Sequence, residues 1–246
     1  MRVTTAIILA GGLGTRLRSE VPDLPKPMAP VAGRPFLEHQ LGYWIAQGVR
    51  HFVLSVGYRH EAVTGHFGSR FDGASIEYVI EETPMGTGGA LLLAVQRAGL
   101  DQPFLAMNGD TYFAARLESM KQFAQTHGAD WCFALFRADE PGRYMGMEVT
   151  PEGKITALKT DMAQPGRLAN GGVYWILPRA LERPHGLTGK FSLEDEYLPA
   201  ALAAGQKLYG IHFDATFIDI GVPADYRRAQ VMLAPAERTI VTKNQD

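Results

Sequence analysis

The chain has 246 residues, 46% of them hydrophobic, and a net charge of -2 from 24 Lys and Arg against 26 Asp and Glu. That length predicts a single large α/β domain, and the scattered, nearly balanced charge argues against a nucleic-acid partner. A lone cysteine, Cys132, excludes an intramolecular disulfide and a cysteine-rich zinc site; with no long apolar run and no leader pattern in Met1 to Thr5, a cytoplasmic protein without a membrane partner is expected.

Ala6 to Ala10 is a short apolar run with two β-branched residues and predicts a buried strand, after which Gly11, Gly12 and Gly14 follow within four positions. Such glycines bring bare backbone close to a ligand. Successive N–H groups can then converge on phosphate oxygens, and Arg16 and Lys26 supply charge that amides lack. The P-loop is excluded because its Gly-Lys-Ser/Thr ending is missing, and the dinucleotide fingerprint because Leu17 stands in place of its third glycine. Pro22, Pro25, Pro27 and Pro30 forbid a long helix there. A polyphosphate site remains.

Leu37, Leu41, Trp44 and Ile45, between Pro35 and Gly48, predict a helix laid on a sheet. His51 to Val56, Ser75 to Ile80 and Pro103 to Met107 read as strands, with helices over Arg59 to Phe67 and Ala90 to Ala98 between them. The alternation argues for a doubly wound, mostly parallel sheet, in which ligands gather at the carboxyl ends of the strands. Leu117 to Thr126 predicts a helix and Ala129 to Phe136 another strand. Short runs over Gly146 to Thr150, Lys154 to Leu158 and Gly172 to Ile176 suggest a small antiparallel insert over the active site. Ser192 with Asp195 reads as a capping box for a helix over Leu193 to Ala204. Strands over Tyr209 to Phe213 and Thr216 to Ile220, then a helix over Pro223 to Leu233, close the pattern.

Asp110 and Asp219 each follow an apolar strand within turn chemistry, as Asn-Gly-Asp and Asp-Ile-Gly-Val-Pro. A Mg²⁺ held on nucleotide phosphates takes one or two protein carboxylates, so two aspartates suffice. Arg16 offers a planar fork suited to leaving phosphates, and Lys26 a point charge suited to the α-phosphorus. Glu81 precedes Pro84 to Ala90, and if it stands at the base, as the family resemblance named below implies, its carboxylate, which only accepts, would match the adjacent donors N1–H and N2–H₂ of guanine. Pyrimidines present an acceptor beside a donor; a backbone amide could meet that acceptor, so UTP and dTTP stay open. The histidines show no ligand spacing.

The pairing of Gly11-Gly12-x-Gly14-Thr15-Arg16 with Pro25-Lys26-Pro27 resembles the sugar-1-phosphate nucleotidyltransferases, or nucleoside-diphosphate-sugar pyrophosphorylases. The resemblance extends over Leu9 to Leu17, Pro84 to Ala90, Asn108 to Asp110, Asn170 to Tyr174 and Phe191 to Glu194, and runs nearest to the bacterial heptose 1-phosphate guanylyltransferases. It implies a Rossmann-like, glycosyltransferase-A-like fold, with about 1–137 for the nucleotide and about 138–230 for the sugar phosphate. It also implies Mg²⁺ on Asp110 and Asp219, with Arg16, Lys26 and Asp110 catalytic. Leu9, Ala10, Gly11, Gly12, Gly14, Thr15, Arg16, Lys26, Glu81, Gly86, Thr87 and Asn108 would meet the nucleotide, and Gly146, Asn170 and Gly171 the sugar phosphate. Many relatives carry a Glu-Lys pair where this chain reads Leu158-Lys159-Thr160, so Lys159 or Lys190 is expected to grip that phosphate. The implied reaction joins a sugar 1-phosphate, favouring heptose, to GTP with release of pyrophosphate; the phosphate, with a second pKa of about 6, needs no protein base. The rivals are a uridylyl- or thymidylyltransferase on a hexose 1-phosphate and a non-catalytic nucleotide-sugar sensor. Oligomeric state, a homo-oligomer included, is left open.

Overall fold

The computed structural model describes residues 4–138, 140, 143–160, 166–181, 187 and 189–234, the side chains of Lys159 and Thr160 excepted. The first half runs β1 (Thr4–Leu9), β2 (Pro30–Val31), β3 (Arg34–Pro35), α1 (Phe36–Ala46), β4 (Val49–Val56), α2 (His60–Phe67), β5 (Arg70–Phe71), β6 (Ala74–Ile80), α3 (Gly86–Arg97), β7 (Phe104–Asn108), β8 (Thr111–Phe113) and α4 (Leu117–His127). Then come β9 (Trp131–Ala138), β10 (Gly146–Val149), β11 (Ile155–Thr160), β12 (Arg167–Ile176), α5 (Leu198–Ala203), β13 (Leu208–His212), β14 (Phe217–Asp219) and α6 (Pro223–Met232).

Alternation along β1 divides the core. Ala6 and Ile8 face one layer with Leu37, Leu41 and Trp44 of α1, Val63 of α2 and Met120 of α4. Ile7 faces the other with Leu91 and Ala94 of α3 and Leu198 and Ala201 of α5. The parallel centre of the sheet is β7-β1-β4-β6, as the alternating pattern predicts. Its carboxyl ends, at Leu9, Val56, Ile80 and Asn108, all open onto one edge.

The antiparallel strands continue this sheet through β12, which runs ten residues where the sequence suggested a five-residue strand. Val173–Ile176 pair with β7, whereas Ala169 pairs with Gly146 of β10, so β12 changes partner midway. The register slips between Asn170 and Tyr174, and Gly172 takes a left-handed φ of 66°. A glycine-bearing bulge absorbs that change.

Three further departures from the sequence reading concern local order. α3 begins at Gly86 rather than Ala90, because Phe191 O accepts the N–H of Gly88 at 3.1 Å and so caps the glycine turn from outside. The capping box at Ser192 forms, with Oγ accepting the Asp195 N–H at 3.0 Å. Its return bond comes from Glu196 at 2.8 Å rather than Asp195, because Leu193–Tyr197 is a π-helical turn that shifts the ladder. The three-residue β8 has no sequence signal of its own and exists by pairing with β14.

Phe113 of β8 is 1% exposed and meets Phe136, Phe213 and Phe217 edge-on, with centroids 6.1, 6.1 and 5.5 Å away. Phe113→Ala should therefore lower stability by about 3–5 kcal/mol, read as an earlier midpoint in urea. An unchanged midpoint would mean that the β8–β14 ribbon does not depend on this cluster.

Candidate active site

The strand ends build a cleft of about 280 Å³. Close backbone approach makes its floor. Ala10 N–H donates to Ser55 O at 2.7 Å and Gly109 N–H to Leu9 O at 2.9 Å, tying the ends of β1, β4 and β7 together. A Cβ on Gly109 would stand 2.7 Å from Leu9 O and 2.9 Å from Ala10 Cα, so only glycine fits there. Gly14 has φ 59°, the left-handed turn that ends the loop, and Thr15–Leu17 then forms one 3-10 turn.

Leu9, Ala10, Gly11, Gly12 and Gly14 line one wall, and Glu81, Gly86 and Thr87 face them. Asn108 and Asp110 lie between, with Lys26 and Lys190 at the margins. Thr15, Arg16, Gly146, Asn170, Gly171 and Asp219 do not line this cleft. Arg16 is exposed on the 3-10 turn. Asn170 turns its amide inward, accepting the Gly172 N–H at 3.0 Å and donating to Tyr174 OH at 2.8 Å, which holds the β12 bulge. The Lys159 side chain lies outside the described residues.

Asp110 and Asp219 are brought together by backbone. β14 pairs with β8 with Asp219 opposite Thr111, and Ile220 N–H donates to Asp110 O at 3.0 Å. Lys26 Nζ sits 2.6 Å from Asp110 Oδ2, with the lysine side chain only 11% exposed. Asp219 Oδ1 accepts the Gly221 N–H at 2.6 Å. Burial first, and the Asp110 charge second, push the Asp219 carboxyl above its usual range, against the pull of Lys26, Gly221 and Arg143. This is a carboxylate pair short of positive charge. A divalent cation fits such a donor set, and among the described residues no third His, Cys, Asp or Glu completes a protein-only cage. Phosphate oxygens and water complete the shell of a nucleotide-bound Mg²⁺.

Two residues of the opposite wall are already engaged. Glu81 accepts from Ser55 Oγ at 3.1 Å through Oε1 and from the Met85 N–H at 3.2 Å through Oε2. Each oxygen keeps a second lone pair, and Glu81 lines the cleft. A Cβ on Gly11 would fall 2.1 Å from Glu81 Oε1, so the glycine loop and this carboxylate are in contact. Thr87 Oγ1 donates to Glu194 Oε2 at 2.6 Å and accepts the Leu193 N–H at 2.8 Å. Phe191, Leu193 and Glu194 thus buttress the wall, a role that the motif over Phe191 to Glu194 did not reveal. Gln40, wholly buried on α1, also touches the Asp110 turn, and no local pattern marks it.

A family model for nucleotidyl transferases matches residues 5–235. The chain belongs to the nucleotidyl transferase family. D-glycero-alpha-D-manno-heptose 1-phosphate guanylyltransferase of Aneurinibacillus thermoaerophilus is 42% identical over 225 residues, 92% of this chain and 96% of the relative. The enzyme of the same name from Campylobacter jejuni is 37% identical over 90% of this chain and 96% of its own. The crystal structure of HddC from Yersinia pseudotuberculosis complexed with GMP-PN superposes with a TM-score of 0.81 at 29% identity, covering 94% of this chain and 100% of that one. Within this nucleotidyl transferase the sheet architecture expected from the sequence is present, doubly wound with a parallel centre flanked by antiparallel strands.

Gly109→Ala should separate the β1 and β7 ends and displace Asp110. The expected result is a fall in kcat of about tenfold or more, since a misplacement near 1 Å costs up to about a hundredfold. Wild-type kcat in a folded variant would show that the turn relaxes without moving the carboxylate.

Proposed function

We propose that the chain is a guanylyltransferase that joins D-glycero-D-manno-heptose 1-phosphate to GTP, giving the GDP-sugar and pyrophosphate. The observation that carries this reading is a cleft lined by the glycine loop, Lys26 and Asp110, with Asp219 brought beside Asp110 by the β8–β14 pairing, and the same activity named for relatives up to 42% identical over nearly the whole chain.

Asp110 and Asp219 would hold Mg²⁺. When bound, that ion neutralises charge on the triphosphate and orients it. The chain's own residues do the rest. N–H groups along Gly11–Gly14 would donate to phosphate oxygens, and Arg16, on the turn that follows, would fold over the leaving pyrophosphate. Lys26, now paired with Asp110, would pass to the oxygens of the α-phosphate, where charge grows as the sugar phosphate attacks. No side chain has to take a proton, because the attacking phosphate is already mostly dianionic near neutral pH. Catalysis is positioning plus charge neutralisation.

Lys190, which lines the cleft, would grip the sugar phosphate. Gly146 and the Asn170–Gly171 bulge, joined through Asn170 N–H on Met145 O at 3.0 Å, would support the sugar side from beneath, since Gly146 and Gly171 are buried. Glu81 would read guanine with its remaining lone pairs while Ser55 and Met85 hold it still.

The test is pyrophosphate release from GTP, UTP and dTTP with heptose, mannose and glucose 1-phosphates. GTP with the heptose phosphate should give the highest kcat/KM, and a preference for UTP or dTTP would sink the guanylyl assignment. Asp110→Asn and Asp219→Asn should each abolish turnover without loss of fold; near-normal activity with Mg²⁺ present would remove the metal role. Glu81→Gln should lower kcat/KM for GTP by about 1–3 kcal/mol and spare UTP. Equal losses for all nucleotides would leave Glu81 as a support for Ser55 and Met85 only.

A further inference from the structure

Gln40 is a polar side chain with no exposed surface, on the helix that lies beneath the parallel strands. Burying an amide in that layer is costly unless its hydrogen atoms find acceptors. They find two. Nε2 donates to Asn108 O at 2.9 Å and to Thr111 O, the carbonyls on either side of Gly109-Asp110. The carbonyl between them, that of Asp110, accepts from Ile220 N–H at 3.0 Å.

The NH₂ group of a side-chain amide is a rigid planar fork, so both of its bonds together fix the spacing of the two carbonyls it joins. Those carbonyls bracket the turn that aims Asp110. Thr111 also donates from Oγ1 to Asp110 Oδ1 at 3.3 Å, so a shift of the Thr111 backbone is passed to the carboxylate itself. Gly109, held 2.9 Å from Leu9 O, anchors the same turn from β1. The turn is pinned from α1, from β1 and from β14, and the Gln40 side chain is bonded to its backbone carbonyls, whereas Lys26 meets only the Asp110 carboxylate.

We infer that Gln40 is a positioning residue for metal binding, holding the Asn108–Thr111 turn so that Asp110 meets the cation, an inference that rests on the reading of Asp110 as a metal ligand. A residue that merely satisfied two buried carbonyls would affect stability alone. One that sets Asp110 affects how strongly the metal and the nucleotide reinforce each other on the protein. That reinforcement is the ratio of GTP affinities with and without Mg²⁺, and it can be measured with no turnover.

The experiment is calorimetric titration of GTP, with and without Mg²⁺ and with no sugar phosphate, into the parent, Gln40→Met, Gln40→Glu and Asp110→Asn. Methionine keeps the length and the unbranched shape of glutamine and removes both donors. Gln40→Glu is nearly isosteric and turns a carboxylate on the two carbonyls, so it serves where the methionine variant does not fold. Either variant should lose at least tenfold of the Mg²⁺-dependent gain while its affinity for metal-free GTP stays within twofold of the parent. In turnover, kcat should fall by about 10- to 100-fold, with KM for the sugar phosphate nearly unchanged. A full Mg²⁺-dependent gain in the Gln40 variants, beside its loss in Asp110→Asn, would overturn the role of Gln40 while keeping Asp110 as a ligand. Retention of the gain in Asp110→Asn would overturn the metal reading, and this inference with it.

Discussion

The hydrogen bond from Ile220 N–H to Asp110 O is where the two ends of the chain become one site. Asp110 closes the fourth strand of the parallel centre, and Asp219 arrives after the antiparallel strands have been laid down and crossed. The three-residue ribbon of β8 and β14 is short, but its register puts Asp219 opposite Thr111 and leaves little freedom in where the second carboxylate stands. Aromatic packing beneath it, with Phe136 stacked 3.7 Å from Phe217, holds the ribbon against the sheet. Such packing offsets the cost of two like charges set side by side. The partly buried Lys26 ammonium meets part of that cost before any substrate arrives.

Backbone, rather than side chains, forms most of the surface that phosphates would meet. The reason is the tightness with which the strand ends converge. A Cβ on Gly57 would stand 3.0 Å from Gly11 O, and one on Gly11 would enter the Glu81 carboxylate. A side chain at Gly57 would press on the Gly11 backbone and one at Gly11 would push the Glu81 carboxylate aside, while Gly14 is favoured by its left-handed turn. Loop and wall are therefore packed against each other.

Much of this was legible in the sequence because it is local. Apolar runs ending in glycine or Asn-Gly-Asp mark strand ends directly, and the parallel alternation follows from the order of strands and helices. The pairing of Asp110 with Asp219 was legible through motif resemblance alone, since no periodicity links residues so far apart. What could not be read depends on contacts across the fold. Gly86–Gly89 looked like a loop and is helical because Phe191, more than a hundred residues on, caps it. The strand expected over Gly172 to Ile176 begins at Arg167 instead, and Asn170 lies in a mid-strand bulge because β12 trades one neighbour for another. Thr87 was expected only to meet the nucleotide; its hydroxyl also joins Glu194 and Leu193, a tie that no local pattern announces. Gln40 carries no local signal, since an isolated glutamine on an apolar helix face reads as an exposed position until the turn above it is in place.

The Phe191 carbonyl that closes the start of α3 has a further consequence. It occupies the amides of Gly88 and Gly89, and Phe191 N–H returns the contact to Met85 O at 3.1 Å, so the positive end of this helix is spent inside the protein. The segment around Phe191 is thereby stitched to the segment that opens α3 and lines the cleft. A graft of residues 189–204 from a relative would also replace the clamp on Thr87 and Met85, so the two segments cannot be exchanged independently without disturbing the wall of the cleft.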